Sequence, residues 1–211
     1  MNLYGFGKAV TYLYVRLAFS MKYEGLENIP QDEGFIICCN HRGYNDPLFI
    51  AHKVKKPLHY MAKAEFYKNK FISALFRSLN AFPVDRGKGD MTAINHAKDI
   101  VKKGEVLAMF PEGSRSKDGK PQRAKPGVTM IAGMVGCGVL PVGVSYQGNL
   151  GFRKRVTVRY GKLLTPEKLG IDPKSSSTIR KAAVQVMDSI VGLMDKDCYG
   201  TYEPPLQKTG R

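Results

Sequence analysis

"GFIICCNHRGYNDPLFIAHKV", residues 34–54, places an apolar run, a polar turn and a second apolar run in close succession. The first run, 34–40, is short and lacks polar alternation, which is typical of a strand covered on both faces. From Asp46 the pattern indicates a helix, with Asp46 at its N-cap and Pro47 in its first turn, where each is favoured. The stretch therefore predicts a buried strand that leads through a turn into a helix.

A similar order of strand and helix recurs along the rest of the chain. Further strands are predicted at 58–63, 81–86, 105–113, 139–147 and 155–164, and further helices at 66–79, 90–104, 127–138 and 175–196. Strands that alternate with helices of this length indicate an α/β protein, with a largely parallel central sheet covered by helices on both faces. No repeat, linker or low-complexity segment divides the chain.

The two ends of the chain differ from this body, which spans residues 23–198. Residues 1–22 are predicted to form an N-terminal amphipathic helix, centred on 2–20. Its apolar side chains recur at helical spacing and its charged side chains are basic: Phe6, Val10, Leu13, Leu17, Lys8 and Arg16. Such a helix either packs on the body or lies at a membrane interface, and both interpretations stay open. Residues 199–211 include two adjacent prolines and are predicted to form a loose C-terminal tail.

The charge of the chain is unusually positive. The sequence has 33 Lys and Arg residues against 18 Asp and Glu residues, a formal net charge of +15. This imbalance favours an anionic partner: nucleic acid, a phospholipid surface or a phosphorylated substrate. Since no helix-turn-helix, zinc finger or base-stacking motif is recognisable, nucleic acid is not expected as the partner.

The cysteines and the hydropathy pattern exclude several other classes. The four cysteines form no CxxC pair and no Cys/His spacing suited to zinc, so no metal site is predicted. Cys38 and Cys39, adjacent in an apolar run, are expected to be buried thiols of a reduced compartment. No stretch reaches the ~18 uncharged apolar residues that a spanning helix needs, and no cleavable signal peptide is evident.

His41 and Asp46, at the end of the opening strand, are candidates for chemistry. On a straight helix they would lie ~140° apart, so they meet only if the chain turns between them, which Gly43 permits. An ionised Asp46 bonded to one imidazole nitrogen would leave the other free to accept a proton. Because no protein nucleophile is evident beside them, the pair suggests direct acyl transfer to a substrate hydroxyl. The alternative is a capped turn with a surface histidine.

A second candidate site is "FPEGSRS", residues 110–116, which ends another predicted strand in a tight turn. The turn offers three groups that bind phosphate: backbone N–H groups around Gly113, the Ser114 hydroxyl and the Arg115 guanidinium. Arg86, in "FPVDR", and Lys125, in "RAKPG", add basic side chains at the same edge of the predicted sheet. The alternative is an ordinary strand-to-helix turn with solvated charges.

Four segments in order carry a resemblance to a known family: "NHRGYND" (40–46), "FPVDR" (82–86), "FPEGSRS" (110–116) and "VLPVGVS" (139–145). They match the motif blocks of glycerolipid acyltransferases, and residues 20–195 resemble the bacterial lysophosphatidate acyltransferase (1-acylglycerol-3-phosphate O-acyltransferase) family. The resemblance implies an α/β acyltransferase domain over 23–198. It also implies transfer of a fatty acyl group from a thioester to the 2-hydroxyl of 1-acylglycerol-3-phosphate, giving phosphatidate.

The resemblance further implies roles for individual residues. His41 and Asp46 match the catalytic pair of the first block. The matching acceptor-binding residues are Arg86, Glu112, Gly113, Ser114 and Arg115, and Lys63 in "MAKAEF" matches a further family segment. Asn40 and Lys125, on the same predicted edge of the sheet, complete the expected substrate-binding set. Two positions depart from the family pattern: Gly43 stands where many members have Ser, and Ser114 where Thr is common.

The expected partners follow from this resemblance and from the charge. They are a lysophospholipid acceptor, an acyl-CoA or acyl carrier protein thioester as co-substrate, and an anionic membrane surface at the cytoplasmic face of the cell membrane, contacted peripherally. No bound cofactor and no metal are expected. Two alternatives remain: a sister acyltransferase that uses glycerol-3-phosphate or another lysolipid, and a non-enzymatic basic module that binds membranes.

Overall fold

The computed structural model describes residues 3–85, 90–116 and 118–198, and its described part contains one seven-stranded sheet flanked by helices. The strands are β1 (Phe19–Glu24), β2 (Phe35–Cys39), β3 (Leu58–Lys63), β4 (Ala81–Val84), β5 (Val106–Met109), β6 (Val139–Ser145) and β7 (Lys154–Tyr160). The helices are α1 (Leu3–Ala18), α2 (Asp46–Ala51), α3 (Lys70–Ser78), α4 (Met91–Lys102), α5 (Gly127–Val135) and α6 (Ser176–Leu193).

The strand order is β1-β7-β6-β2-β5-β3-β4. All neighbouring strands are parallel except β6 and β7, which are antiparallel. The prediction of an α/β protein with a largely parallel sheet is therefore confirmed.

Strand β2 lies at the centre of the sheet and shows why helices cover both faces. Its five residues are all fully buried, and alternate side chains point to opposite faces. Phe35, Ile37 and Cys39 belong to the core shared with α1 and α2. Ile36 and Cys38 belong to the core shared with α4, α5 and α6. An unbroken apolar run is what such a two-sided strand requires.

The N-terminal segment differs from its prediction. The predicted helix over 2–20 ends at Ala18, and Phe19–Glu24 form strand β1, which pairs in parallel with β7. In this segment apolar and polar residues alternate: Phe19 is buried, and Met21 and Tyr23 pack against the same core. The predicted boundary after residue 22 therefore falls within a strand. The predicted tail at 199–211 lies outside the described residues.

The predicted helix over 66–79 also differs in its first half. Residues Ala64–Lys68 form a 3₁₀ turn, and α3 begins only at Lys70. The Asn69 side chain accepts hydrogen bonds from the backbone N–H groups of Phe71 and Ile72, at 3.0 and 3.2 Å. This cap fixes the start of the helix.

The edge formed by the carboxyl ends of β2 and β5 brings the two candidate loops together. In the register of these parallel strands Cys38 is level with Met109, so residues 40–46 and 110–116 leave the sheet side by side. This edge is where ligands collect in open α/β sheets. Within the described residues, no helix combines the length and the apolar character needed to cross a membrane.

Candidate active site

The His41 and Asp46 side chains meet in a tight loop between β2 and α2. His41 Nδ1 lies 3.0 Å from Asp46 Oδ2, and the same oxygen accepts hydrogen bonds from the backbone N–H groups of Arg42 and Gly43, at 2.6 and 2.7 Å. The predicted contact across the turn is thus present. The Asp46 side chain is fully buried, whereas His41 keeps 18% of its side chain exposed.

The sequence predicted Asp46 as the N-cap of α2, and this prediction is wrong. The N-cap is Asn45, and Asp46 is itself the first helical residue. Its carboxylate points back to the preceding loop, because two backbone N–H groups and an imidazole converge on it there. The other oxygen, Oδ1, is buried and has no hydrogen-bond partner among the described residues.

The imidazole of His41 is held in a defined plane. Its ring stacks on the Phe110 ring, with centroids 4.0 Å apart and planes inclined by 20°. Since the Asp46 carboxylate accepts the Nδ1 proton, Nε2 is the nitrogen that can take a proton from a substrate. The backbone of His41 is also fixed, because its carbonyl accepts from Ser116 N at 2.8 Å.

Glu112 holds the backbone of the loop that carries His41, and it borders neither of the two cavities that meet at His41. Its Oε1 accepts from the backbone N–H of His41 at 2.7 Å, and its Oε2 accepts from that of Gln122 at 3.0 Å. The side chain is buried. Glu112 thus holds the backbone N–H groups of His41 and Gln122, and the expected contact of its side chain with the acceptor stays a prediction.

Asn40 has a similar supporting place. Its amide donates to Val144 O at 3.0 Å and accepts from Val144 N at 2.8 Å, and the side chain is buried. These two bonds join the end of β2 to β6. The amide thus has a structural role, and the expected contact of Asn40 with substrate stays a prediction.

Two cavities meet at His41. The smaller, about 250 Å³, is bordered by Gly113 and Lys125. The larger, about 490 Å³, is bordered by Lys63, Ser114 and Arg115, by polar and aromatic residues of α1, and by apolar residues of α2 and α3. His41, Met61 and Phe110 border both. An imidazole in this position can be reached by reactants from two directions.

The residues predicted to bind phosphate together therefore border two different cavities. Gly113 borders the smaller cavity, and its left-handed φ of +73° favours glycine; a Cβ there would also displace the end of the Lys125 side chain, which would lie 2.7 Å away. Ser114 and Arg115 border the larger cavity instead. Lys63 borders the same cavity and forms an ion pair with Glu65. Arg86 lies outside the described residues.

Several residues at the site were not predicted. The Arg115 guanidinium lies 3.6 Å from the centroid of the Tyr44 ring, and Tyr44 also borders the larger cavity. Arg42 donates from Nη1 to Tyr146 O at 2.6 Å and packs over the Tyr146 ring. Tyr44 and Arg42 lie between His41 and Asp46 in the sequence, which could have suggested them. Gln122 gave no comparable signal.

Within the described part of the chain, no group of three or more His, Cys, Asp and Glu side chains is placed to hold a metal ion. The two cavities are bordered by the His41 imidazole, which the Asp46 carboxylate backs, by the basic side chains already named, and by the carboxyl groups of Asp85 and Asp90. Such a set can remove a proton from a hydroxyl and stabilise negative charge.

The unfolding free energy of the protein is expected to depend on pH because of the Glu112 carboxyl group. Burial raises the pKa of this carboxyl to about 7, although the N–H groups of His41 and Gln122 oppose the shift, and the charge of Asp46 adds to it. A carboxyl with a raised pKa in the fold contributes fully below its ordinary pKa, near 4.5, and loses that contribution as pH rises through about 7. We expect the wild type to lose on the order of 3 kcal/mol of unfolding free energy relative to Glu112→Gln across this window.

Urea unfolding of both proteins at several pH values between about 4.5 and 8 measures this difference. Gln is uncharged throughout, so Glu112→Gln removes the titration while keeping the size of the side chain. A difference in unfolding free energy that stays constant with pH would contradict the assignment.

A family model described as Acyltransferase matches residues 20–145. The 1-acyl-sn-glycerol-3-phosphate acyltransferase of Bacillus subtilis is 33% identical over 147 residues, covering 69% of this chain and 72% of the relative. The protein of the same name from Streptococcus pneumoniae is 33% identical over 147 residues, covering 66% of this chain and 53% of the relative.

A solved structure is similar over most of the fold. The crystal structure of the 1-acyl-sn-glycerophosphate (LPA) acyltransferase PlsC from Thermotoga maritima superposes with a TM-score of 0.68 at 28% sequence identity. The match covers 90% of this chain and 76% of that one.

Proposed function

Because the chain belongs to the acyltransferase family, we propose that it moves a fatty acyl group from a thioester to the 2-hydroxyl of 1-acylglycerol-3-phosphate, giving phosphatidate. The observation that carries the proposal is the His41–Asp46 pair, 3.0 Å apart, at the junction of two cavities. The names of the relatives from Bacillus and Streptococcus supply the acceptor.

The proposed reaction needs one base and no covalent enzyme intermediate. His41 Nε2 takes the proton of the acceptor hydroxyl while the oxygen of that hydroxyl attacks the thioester carbonyl carbon. The tetrahedral intermediate then breaks its C–S bond, and the imidazolium returns the proton to the leaving thiolate. Asp46 stabilises the imidazolium, and the charge on the carbonyl oxygen is met by basic side chains at the cavities. This chemistry calls for no metal and no bound cofactor, and the donor is a thioester of coenzyme A or of acyl carrier protein.

The phosphate of the acceptor is assigned to Arg115. Its guanidinium borders the larger cavity and is held over the Tyr44 ring, which limits its freedom before the phosphate arrives. A planar guanidinium suits bidentate contacts to phosphate oxygens. Arg86 is proposed for the same role from its place in the sequence, and Lys125 extends the positive charge to the smaller cavity.

We expect Arg115→Gln to raise the apparent KM for 1-acylglycerol-3-phosphate by about ten- to a hundred-fold, because a charge-assisted hydrogen bond is lost. The measurement is thiol release from a long-chain acyl thioester with three acceptors: the lysophosphatidate, glycerol-3-phosphate and monoacylglycerol. The effect should be small for monoacylglycerol, which has no phosphate.

The matched control is Arg123→Gln, since Arg123 is exposed and borders neither cavity. If Arg115→Gln weakened only the thioester, the phosphate assignment would be wrong. A wild-type preference for glycerol-3-phosphate over the lysolipid would instead favour the sister activity.

Helix α1 is proposed to attach the protein to an anionic membrane. One face of the helix is packed on the body: Val15 is buried, Lys8 Nζ donates to Val54 O at 2.6 Å, and Tyr4 Oη accepts from Leu58 N at 3.0 Å. The opposite face leaves four apolar side chains more than half exposed: Phe6, Val10, Leu13 and Leu17. The two interpretations of this helix, core and interface, thus apply to different faces.

The charge agrees with peripheral attachment at the cytoplasmic face of the cell membrane. The cytoplasmic leaflet is anionic and attracts basic segments by about 1 kcal/mol for each well-placed Lys or Arg. With a net charge of +15, the chain supplies many such residues.

We expect Phe6→Asn with Leu13→Asn to weaken co-sedimentation with phosphatidylglycerol vesicles by about ten-fold or more, since two apolar side chains no longer enter the bilayer. Binding of the wild type should also weaken with salt without vanishing. Deleting α1 is the poorer test, because deletion would remove core contacts as well.

The control for this experiment is Met91→Asn, on α4, which is more than half exposed and whose helix packs on the other face of the sheet. Thermal melts establish that each variant is folded. Vesicle binding that is unchanged in the α1 variant would remove the proposed role of the helix.

A further inference from the structure

Helix α3 exposes a second apolar edge that neither the proposed chemistry nor α1 explains. Phe71 is 88% exposed, and Ile72 and Leu75 beside it are also exposed. The Asn69 cap fixes the start of the helix directly before Phe71, so the position of this exposed edge is defined by the fold. Adjacent large apolar side chains on a short surface helix indicate a surface that contacts a partner.

The charges around this edge favour an anionic partner, because they are mostly basic and the preceding acidic residue, Glu65, is paired with Lys63. Lys68, Lys70 and Arg77 are all exposed, and residues 66–79 contain no Asp or Glu. Residues 1–23, which contain α1, likewise contain no acidic residue. Of the other helices in the described part, α2, α4 and α6 include an acidic residue and α5 has no charge. Basic residues without acidic ones, combined with exposed apolar side chains, are typical of helices that lie in an anionic lipid interface.

The two basic helices that lack acidic residues, α1 and α3, are neighbours. A Cβ at Gly7 of α1 would lie 3.3 Å from a methyl group of Leu79, the C-cap residue of α3. Both helices also border the larger cavity, α3 through Phe76 and α1 through Tyr4 and Thr11. Each helix therefore has one face on the cavity and another exposed to its surroundings.

We infer that α3 is a second membrane-contacting element, and that the acyl chain of the lysolipid enters the larger cavity from the bilayer between α1 and α3. This rests on the proposed function for the identity of the lipid. At the cavity the chain would meet Phe76 of α3 and Tyr4 of α1, with Lys8 and Thr11 beside them, so entry between the helices reduces the apolar surface that must cross water. The phosphate then stays at the polar side, where Arg115 borders the same cavity.

The test uses the full chain with Phe71→Asn and Leu75→Asn, both at exposed positions. The matched control is Met91→Asn with Met134→Asn, which changes two exposed apolar residues on α4 and α5. Binding is measured by co-sedimentation with vesicles of phosphatidylglycerol and phosphatidylcholine. Activity is measured with lysophosphatidate either embedded in those vesicles or dispersed in detergent.

The α3 variant should bind vesicles about ten-fold or more weakly and show a similar rise in KM for the embedded lysolipid. Its activity with the detergent-dispersed lysolipid, and both activities of the control, should match those of the wild type. The conservative variant Phe71→Leu with Leu75→Met keeps the apolar surface and should bind vesicles as the wild type does.

Three results would overturn the inference: unchanged vesicle binding by the folded α3 variant, an equal loss of activity in detergent, or wild-type self-association that only the α3 variant abolishes. The last result would assign the edge to contact with a second copy. If no acceptor were acylated even by the wild type, the proposed function would fail. The vesicle measurement would still decide whether α3 contacts membranes.

Discussion

Replacing His41 by alanine is expected to abolish acyl transfer, lowering kcat by about 10²–10⁴-fold or more, because the proposed general base, which borders both cavities, is lost. The measurement is thiol release from a long-chain thioester with saturating lysophosphatidate. Binding of the lysolipid should change little, since the side chain is the base and not a ligand of the phosphate. The fold should persist too, because the backbone of this residue is held by Glu112 and Ser116.

His96→Ala is the matched control, since His96 is an exposed residue of α4 and borders neither cavity. It should keep wild-type kcat. A folded His41→Ala protein that transferred acyl groups at the wild-type rate would refute the mechanism.

The second large effect is expected from Asp46→Asn, a loss of kcat of about 10²–10⁴-fold. In this variant an amide oxygen can take the place of Oδ2 and still accept from Arg42 N and Gly43 N. The loop can therefore keep its shape while the negative charge that stabilises the imidazolium is lost. The amide nitrogen would replace Oδ1, which is buried without a partner among the described residues, so some loss of stability is also expected.

Asp46→Ala serves as the comparison, because it removes both the charge and the acceptor for the two N–H groups. It should be clearly less stable than Asp46→Asn in thermal melts, with kcat at least as low. If Asp46→Asn kept wild-type kcat, the charge of Asp46 would have no part in the reaction, and the residue would only shape the loop.

The sequence predicted the central strand-turn-helix well because its signals are local. A wholly apolar run specifies β2, and Pro47 favours the start of α2. Gly43 does not take a left-handed φ in the turn; a Cβ there would instead lie 3.0 Å from the Tyr146 hydroxyl. The contact between His41 and Asp46 follows from that turn. Strand β1 could not be predicted in the same way, since its pairing partner β7 lies far along the chain and its residues also fit the end of a helix.

The same limit applies to the predicted substrate ligands. Whether Glu112 points to a cavity or into the protein depends on which N–H groups the fold brings near it, here those of His41 and Gln122. Neighbours in one turn also separate: Gly113 faces one cavity and Ser114 the other. Sequence patterns identify the loop that carries such residues, whereas the direction of each side chain is set by long-range packing.

The pairing of β1 with β7 has a consequence for the order of events during synthesis. Phe19 of β1 lies beside Lys154 of β7, so β1 has no strand to join until the ribosome has added most of the domain. Helix α1 precedes β1 and leaves the ribosome early. Contacts between such distant segments form late, because the intervening chain must first be ordered. Before β1 pairs with β7, a nascent chain can thus expose the apolar side chains of α1 to a bilayer.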